Sequence, residues 1–160
     1  LTDAVHSDDH DRVLATVLSV KLIKAPGEKA LRQAKTHIQR QLELFKGREV
    51  SIDDGGVLAT FDGPARAIRC ASAIASSAER LAVILKTGLH TGECDYSQHT
   101  YSGYAVELAQ RIADAASPGN MLVSRTVKDL VAGSGLVFEE AGMRSFKGMD
   151  GEWRLFTVIH

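Results

Sequence analysis

Residues 48–61 read REVSIDDGGVLATF. Two short runs, around 48–52 and 57–61, flank Asp53-Asp54-Gly55-Gly56. An Asp-Gly pair between two such runs is the strongest short hairpin signal in the chain. Upstream of it, Ala30, Leu31, Ala34, Ile38, Leu42 and Phe45 recur at helical spacing with charges between them. That pattern predicts an amphipathic helix of about five turns, with Gly47 at its C-terminal stop. Farther upstream, residues 13–20 (VLATVLSV) form a β-rich apolar run whose poor alternation predicts a central strand buried on both faces. Pro26 and Gly27 separate this strand from the helix.

Downstream of the hairpin, residues 63–81 are Ala-rich and helical, with Pro64 in the first turn. Residues 83–90 (VILKTGLH) read as a strand and 91–103 as a polar loop. A helix over 104–115 ends at Ser117-Pro118-Gly119. A strand (121–124), a helix (125–132) and strands near 136–140 and 153–159 follow. The order is β-α-β-β-α-β with an α-β extension. The fold class is therefore α+β, with a ferredoxin-like core whose two crossover helices cover one face of an antiparallel sheet.

Composition agrees with one globular domain. The chain has 160 residues, 44% of them hydrophobic and 24% charged, enough to bury a sizeable core and too apolar for disorder. A formal net charge of −1 offers no broad basic field for nucleic acid and no polybasic membrane anchor. No apolar run approaches the roughly 20 residues of a membrane span. Residues 1–12 read as a linker or tail and 13–160 as the domain. The first residue is Leu1 and no signal-peptide pattern follows, so the expectation is a cytoplasmic domain of a longer protein.

Several single residues invite a functional reading and carry little. His6 and His10 beside Asp8, Asp9 and Asp11 read as a solvated linker rather than a metal site. Cys70 and Cys94 lack disulfide-framework or metal-ligand spacing, and Cys94 is expected to be a partly exposed thiol. The glycines from Gly88 to Gly92 and Gly133-Ser134-Gly135 read as turns. His37 and His90 have no nucleophile pattern beside them, and His90 reads as a satisfied strand-end histidine. Trp153 reads as core or interface.

The stretches RVLATVL, GREV, DDGGVLATFDGPARAIRCASAI, GLHTGE, GYAVELAQRIA, SPGNMLVSRTVKDLVAGSGL and KGMDGEWRLF strongly resemble the class III adenylate/guanylate cyclase homology domain, in its bacterial and especially actinobacterial form. The resemblance runs from about Arg12 to Val158. It implies head-to-tail dimers with composite nucleotide sites. It also implies conversion of ATP or GTP to a cyclic 3′,5′ monophosphate and pyrophosphate, with two divalent ions activating the 3′-hydroxyl and clamping the triphosphate. In this family two aspartates hold those ions, one after the first strand and one at the hairpin tip.

At the first metal position this chain has Lys21, within Ser19-Val20-Lys21-Leu22. Two unit charges 4 Å apart interact by about 4 kcal/mol at an effective dielectric near 20, so exchanging a carboxylate for an ammonium turns that attraction into repulsion. The phosphate-facing turn that follows reads Lys24-Ala25 in place of Gly-Ser/Thr. The second metal position is Gly55, with Asp54 one place and Asp53 two places earlier. The base-selecting positions correspond to Ser51 and Thr100, which can hydrogen-bond a base edge but cannot form the charged pair that reads adenine. The Asn-x-x-x-Arg pair of the helix reads Glu107 and Arg111, of which Arg111 matches the catalytic arginine; i, i+4 spacing also lets the two pair with each other. The phosphate-meeting basic residue corresponds to Arg154.

The sequence is thus read as a degenerate cyclase domain. The expectations are Arg111 at the catalytic position, Lys21, Ser51, Thr100, Glu107 and Arg154 at nucleotide-binding positions, and no metal or other cofactor. The expected partners are a second copy or another cyclase domain, with ATP or GTP as ligand, and neither nucleic acid nor membrane. The alternative is an active cyclase whose rearranged metal site uses Asp53 or Asp54 with Mg²⁺ or Mn²⁺. A third reading makes Lys21, Lys24, Arg111 and Arg154 a metal-free anion sensor.

Overall fold

In the computed structural model, which describes residues 11–159, the first strand is longer than its apolar run. β1 (Asp11–Lys24) begins within the stretch read as a tail and is buried without interruption from Ala15 to Val20. The His6 and His10 reading lies outside the described residues. α1 (Glu28–Leu44) buries Ala34, Ile38 and Leu42, three of the positions expected from its periodicity. β2 (Arg48–Asp53) and β3 (Gly56–Phe61) form the expected hairpin. α2 (Pro64–Arg80) leads into β4 (Ile84–Ser97).

The reading of 91–103 as a loop is corrected. β4 pairs with β1 from Ile84 to Tyr96, and Gln98-His99 then turns the chain into β5 (Thr100–Ser102). Both turn residues have positive φ (52° and 65°), the geometry of a tight two-residue hairpin supplied here without glycine. Gly88 and Gly92 are consequently strand residues, not turn residues.

α3 (Tyr104–Ala115), β6 (Met121–Ser124), α4 (Arg125–Leu130), β7 (Val137–Ser145) and β8 (Glu152–Ile159) complete the chain. The strands lie in one sheet in the order β2-β3-β1-β4-β6-β8-β7, with β5 beside β4. The first four are antiparallel neighbours, as the ferredoxin-like pattern requires. The extension joins through the parallel pair β4–β6, which α3 bridges.

The fold is α+β, with helices on both faces. α1 and α2 pack on one face over Leu18, Val20, Ala59, Phe61 and Leu89, and Val127 of α4 joins them. α3 packs alone on the other, over Val17, Leu58 and Cys94 and over Leu122 and Leu155. Gly88 makes the α3 packing possible: a Cβ there would lie 2.3 Å from the Ala113 nitrogen and 2.7 Å from the Ala109 oxygen. Among the described residues no helix is long and apolar enough to cross a membrane.

Candidate functional site

Alternation along β1 puts Val17, Ser19 and Lys21 on the α3 face. Lys21 stands opposite Gly56 on β3 and Lys86 on β4. Its Nζ lies 3.6 Å from Asp114 Oδ1, near the C-terminal end of α3. The β2–β3 turn is drawn against the same end of β1, where the Leu22 N–H donates to the Gly55 carbonyl at 2.9 Å. Gly56 has φ 151°, and a Cβ there would meet the Val20 carbonyl at 2.1 Å, so that position excludes a side chain.

The two carboxylates of the β2–β3 turn are engaged elsewhere. Asp53 Oδ1 accepts from the backbone N–H groups of Gly55 (2.7 Å) and Gly56 (3.1 Å), closing the turn on itself. Asp54 Oδ1 accepts from Lys35 Nζ of α1 at 2.7 Å. Among the described residues no group of three or more His, Cys, Asp or Glu side chains is placed to hold a metal ion.

Arg111 is also engaged. It donates to the Lys147 carbonyl at 2.7 Å and to Glu107 at 3.3 Å, the i, i+4 pairing anticipated from spacing. Tyr104, about two turns farther toward the start of α3, donates to the Asp150 carbonyl at 3.0 Å. Two side chains of α3 therefore fasten the β7–β8 turn.

Ser51 is exposed on β2 opposite Leu58, and Thr100 is exposed at the start of β5. Their neighbours Val50 and Tyr101 pack in one small core with Val13, so the structure brings the two carrier strands together. Beside them Arg48 makes a two-pronged pair with Asp62 at 2.8 and 3.2 Å, which raises the Arg48 pKa and lowers that of Asp62.

Arg154 stands apart. Its neighbours Trp153 and Leu155 pack toward α3, so Arg154 points to the opposite face with Phe156, where it pairs with Glu140. Within one chain Lys21 and Arg154 do not share a pocket.

His90 is buried, with Nδ1 2.8 Å from Ser124 Oγ and its ring edge-on to Trp153 at 5.3 Å. Burial lowers its pKa to about 4, so it is a neutral core residue. Cys94 is 1% exposed, which corrects the expectation of a partly exposed thiol, and burial raises its pKa, as it raises that of Cys70 to about 12. Its side chain points inward because Cys94 stands opposite Val13 on the α3 face.

Comparison with known proteins places the fold. The solved adenylate/guanylate cyclase/hydrolase of Silicibacter pomeroyi superposes with a TM-score of 0.83 at 20% identity, covering 94% of this chain and 99% of that one. The adenylyl cyclase CyaB of P. aeruginosa gives a TM-score of 0.84 at 16% identity, covering 95% and 96%. The fold is that of the adenylate/guanylate cyclase domain.

A Rhizobium meliloti protein provisionally named adenylate cyclase 3 is 24% identical over 123 residues, 71% of this chain. The chain spans about a fifth (21%) of the length of that curated relative. No protein-family model matches the chain.

By the family resemblance read from the sequence, the two expected metal positions are Lys21 and Gly55. The first presents an ammonium already paired with Asp114, and the second has no side chain. Divalent cations of the Mg²⁺ type require hard oxygen donors, usually carboxylates. The residues present do not fit a two-metal site.

Sequence reading missed Lys86 and Asp114. Asp114 follows Arg111 by three residues, the spacing of one helix face, and that was an available signal. Lys86 had none, because its position opposite Lys21 depends on the register of two strands more than sixty residues apart.

Proposed function

We propose that this domain is a catalytically silent cyclase-fold module of a cytoplasmic signalling protein. It acts by pairing with a second copy or with another cyclase domain, and the nucleotide it takes, ATP or GTP, is held without a divalent metal. The observation that carries this reading is Lys21: an ammonium stands where the fold's chemistry calls for a carboxylate, and the neighbouring Asp53 and Asp54 are committed to the turn backbone and to Lys35. Pairing is supported by the separation of parts within one chain. Lys21 lies on the α3 face beside Asp114 and Arg154 on the opposite face beside Glu140, so a site using both would draw them from two chains.

The test is cyclic-nucleotide formation from ATP and from GTP, in Mg²⁺ and in Mn²⁺, by the purified domain and by a Lys21→Asp/Gly55→Asp variant. The unmodified domain is expected to give no product. Product from it, lost in Asp53→Asn or Asp54→Asn, would overturn the reading in favour of a rearranged metal site.

A further inference from the structure

We propose that Lys21 and Lys86 form a metal-free binding site for a polyphosphate group, free or as the triphosphate of a nucleotide. The inference deepens the silent-module reading and rests on it for the absence of metal at Lys21.

The two lysines are direct cross-strand partners in the β1–β4 ladder and share the α3 face. Such partners have Cβ atoms about 4.5–5.5 Å apart, close enough for two ammonium groups to bracket one phosphate, and like charges so placed are otherwise destabilising. The local counter-charge is incomplete. Lys21 has Asp114 at 3.6 Å, whereas Lys86 has no acidic partner among the described residues. The last turn of α3 adds only the partial negative charge of a helix end. Lys86 is partly exposed, and the Lys21 side chain is 29% exposed, so solvent-borne anions reach both.

Gly56 lies beside Lys21 on β3, and neither Gly55 nor Gly56 has a side chain. Each ammonium offers three donors and no acceptor, and a lysine serves phosphate as a point charge. Two of them supply half the positive charge that two divalent ions would bring. An anion bound there also relieves the repulsion across the ladder.

The experiment is calorimetric titration of the domain with inorganic triphosphate, ATP and GTP in the presence of EDTA. Lys86→Met, Lys86→Arg and Asp114→Asn variants are run beside it, each checked for an unchanged circular-dichroism spectrum. Binding is expected with EDTA present, weaker by about tenfold or more in Lys86→Met, retained in Lys86→Arg and tighter in Asp114→Asn. Equal affinities for triphosphate and nucleotide support recognition of phosphate alone. A preference for one nucleotide, still lost in Lys86→Met, supports the same site with the base in contact. Absence of binding for all three anions, or binding unmoved by Lys86→Met, overturns the proposal. Cyclic-nucleotide product would overturn the silent reading alone, and loss of EDTA-resistant binding the lysine site alone.

Discussion

Lys21 Nζ lies 3.6 Å from the Asp114 carboxylate, joining the centre of the sheet to the last turn of α3. Asp114 is well exposed, with 61% of its side chain open to solvent, so solvent screens the pair and its contribution to stability is small.

Asp114→Asn is therefore expected to lower unfolding free energy by less than about 1 kcal/mol in urea denaturation. Lys86→Met removes a like charge opposite Lys21 and is expected to raise it by about 0.2–1 kcal/mol. A loss above about 2 kcal/mol in Asp114→Asn would mean that the pair is a structural anchor rather than an exchangeable counter-ion.

Gly88→Ala is expected to be among the most damaging single substitutions. The added methyl meets backbone atoms of α3 at 2.3 and 2.7 Å, and backbone cannot rotate away as a side chain can. A destabilisation of about 3 kcal/mol or more follows if α3 must lift from the sheet. An urea midpoint equal to that of the unmodified domain would show that α3 shifts without cost.

His90 makes stability pH-dependent. Its folded pKa is lowered to about 4 from 6.5, so the unfolded chain takes up the proton first as pH falls. The stability present above pH 6.5 is lost progressively between 6.5 and 4, by an amount on the order of 3 kcal/mol. His90→Gln is expected to flatten the unfolding profile over that interval. An unchanged slope in the variant would assign the acid sensitivity to other groups.

Arg111→Ala should release the β7–β8 turn. The lost donor leaves the Lys147 carbonyl to water, while the Met149 N–H still reaches the Phe146 carbonyl at 3.0 Å. Faster amide exchange at Met149, with little change in helix amides, is the expected result. Tyr104→Phe, which removes the second fastening to Asp150, should add to it. Unaltered exchange in the double variant would show that the turn holds itself.

The two hairpins explain why one stretch of the fold was legible and another was not. Asp53 to Gly56 carries turn chemistry in its composition. Ser97 to Thr100 makes an equally tight turn, but with Gln98 and His99 in the left-handed region, residues that carry no such signal. The strand before that turn is equally hidden. Its residues are polar, and they become strand by pairing with Asp11 to Ala15 of β1. In the candidate site, Glu107 with Arg111 followed from helical spacing, whereas the commitment of Arg111 to a carbonyl 36 residues away did not.

The sequence by itself determined the order of elements, the central place of β1 and the residue types at positions 21 and 55, because periodicity and covalent order are local properties of the chain. Tertiary structure alone decided that Lys21 faces Lys86 and Asp114, and that Arg154 lies across the sheet from Arg111. The reason is register. A shift of one residue between strands reverses every side chain, and that register is set by the packing of α3 over Gly88 and by the core beneath α1 and α2 as a whole.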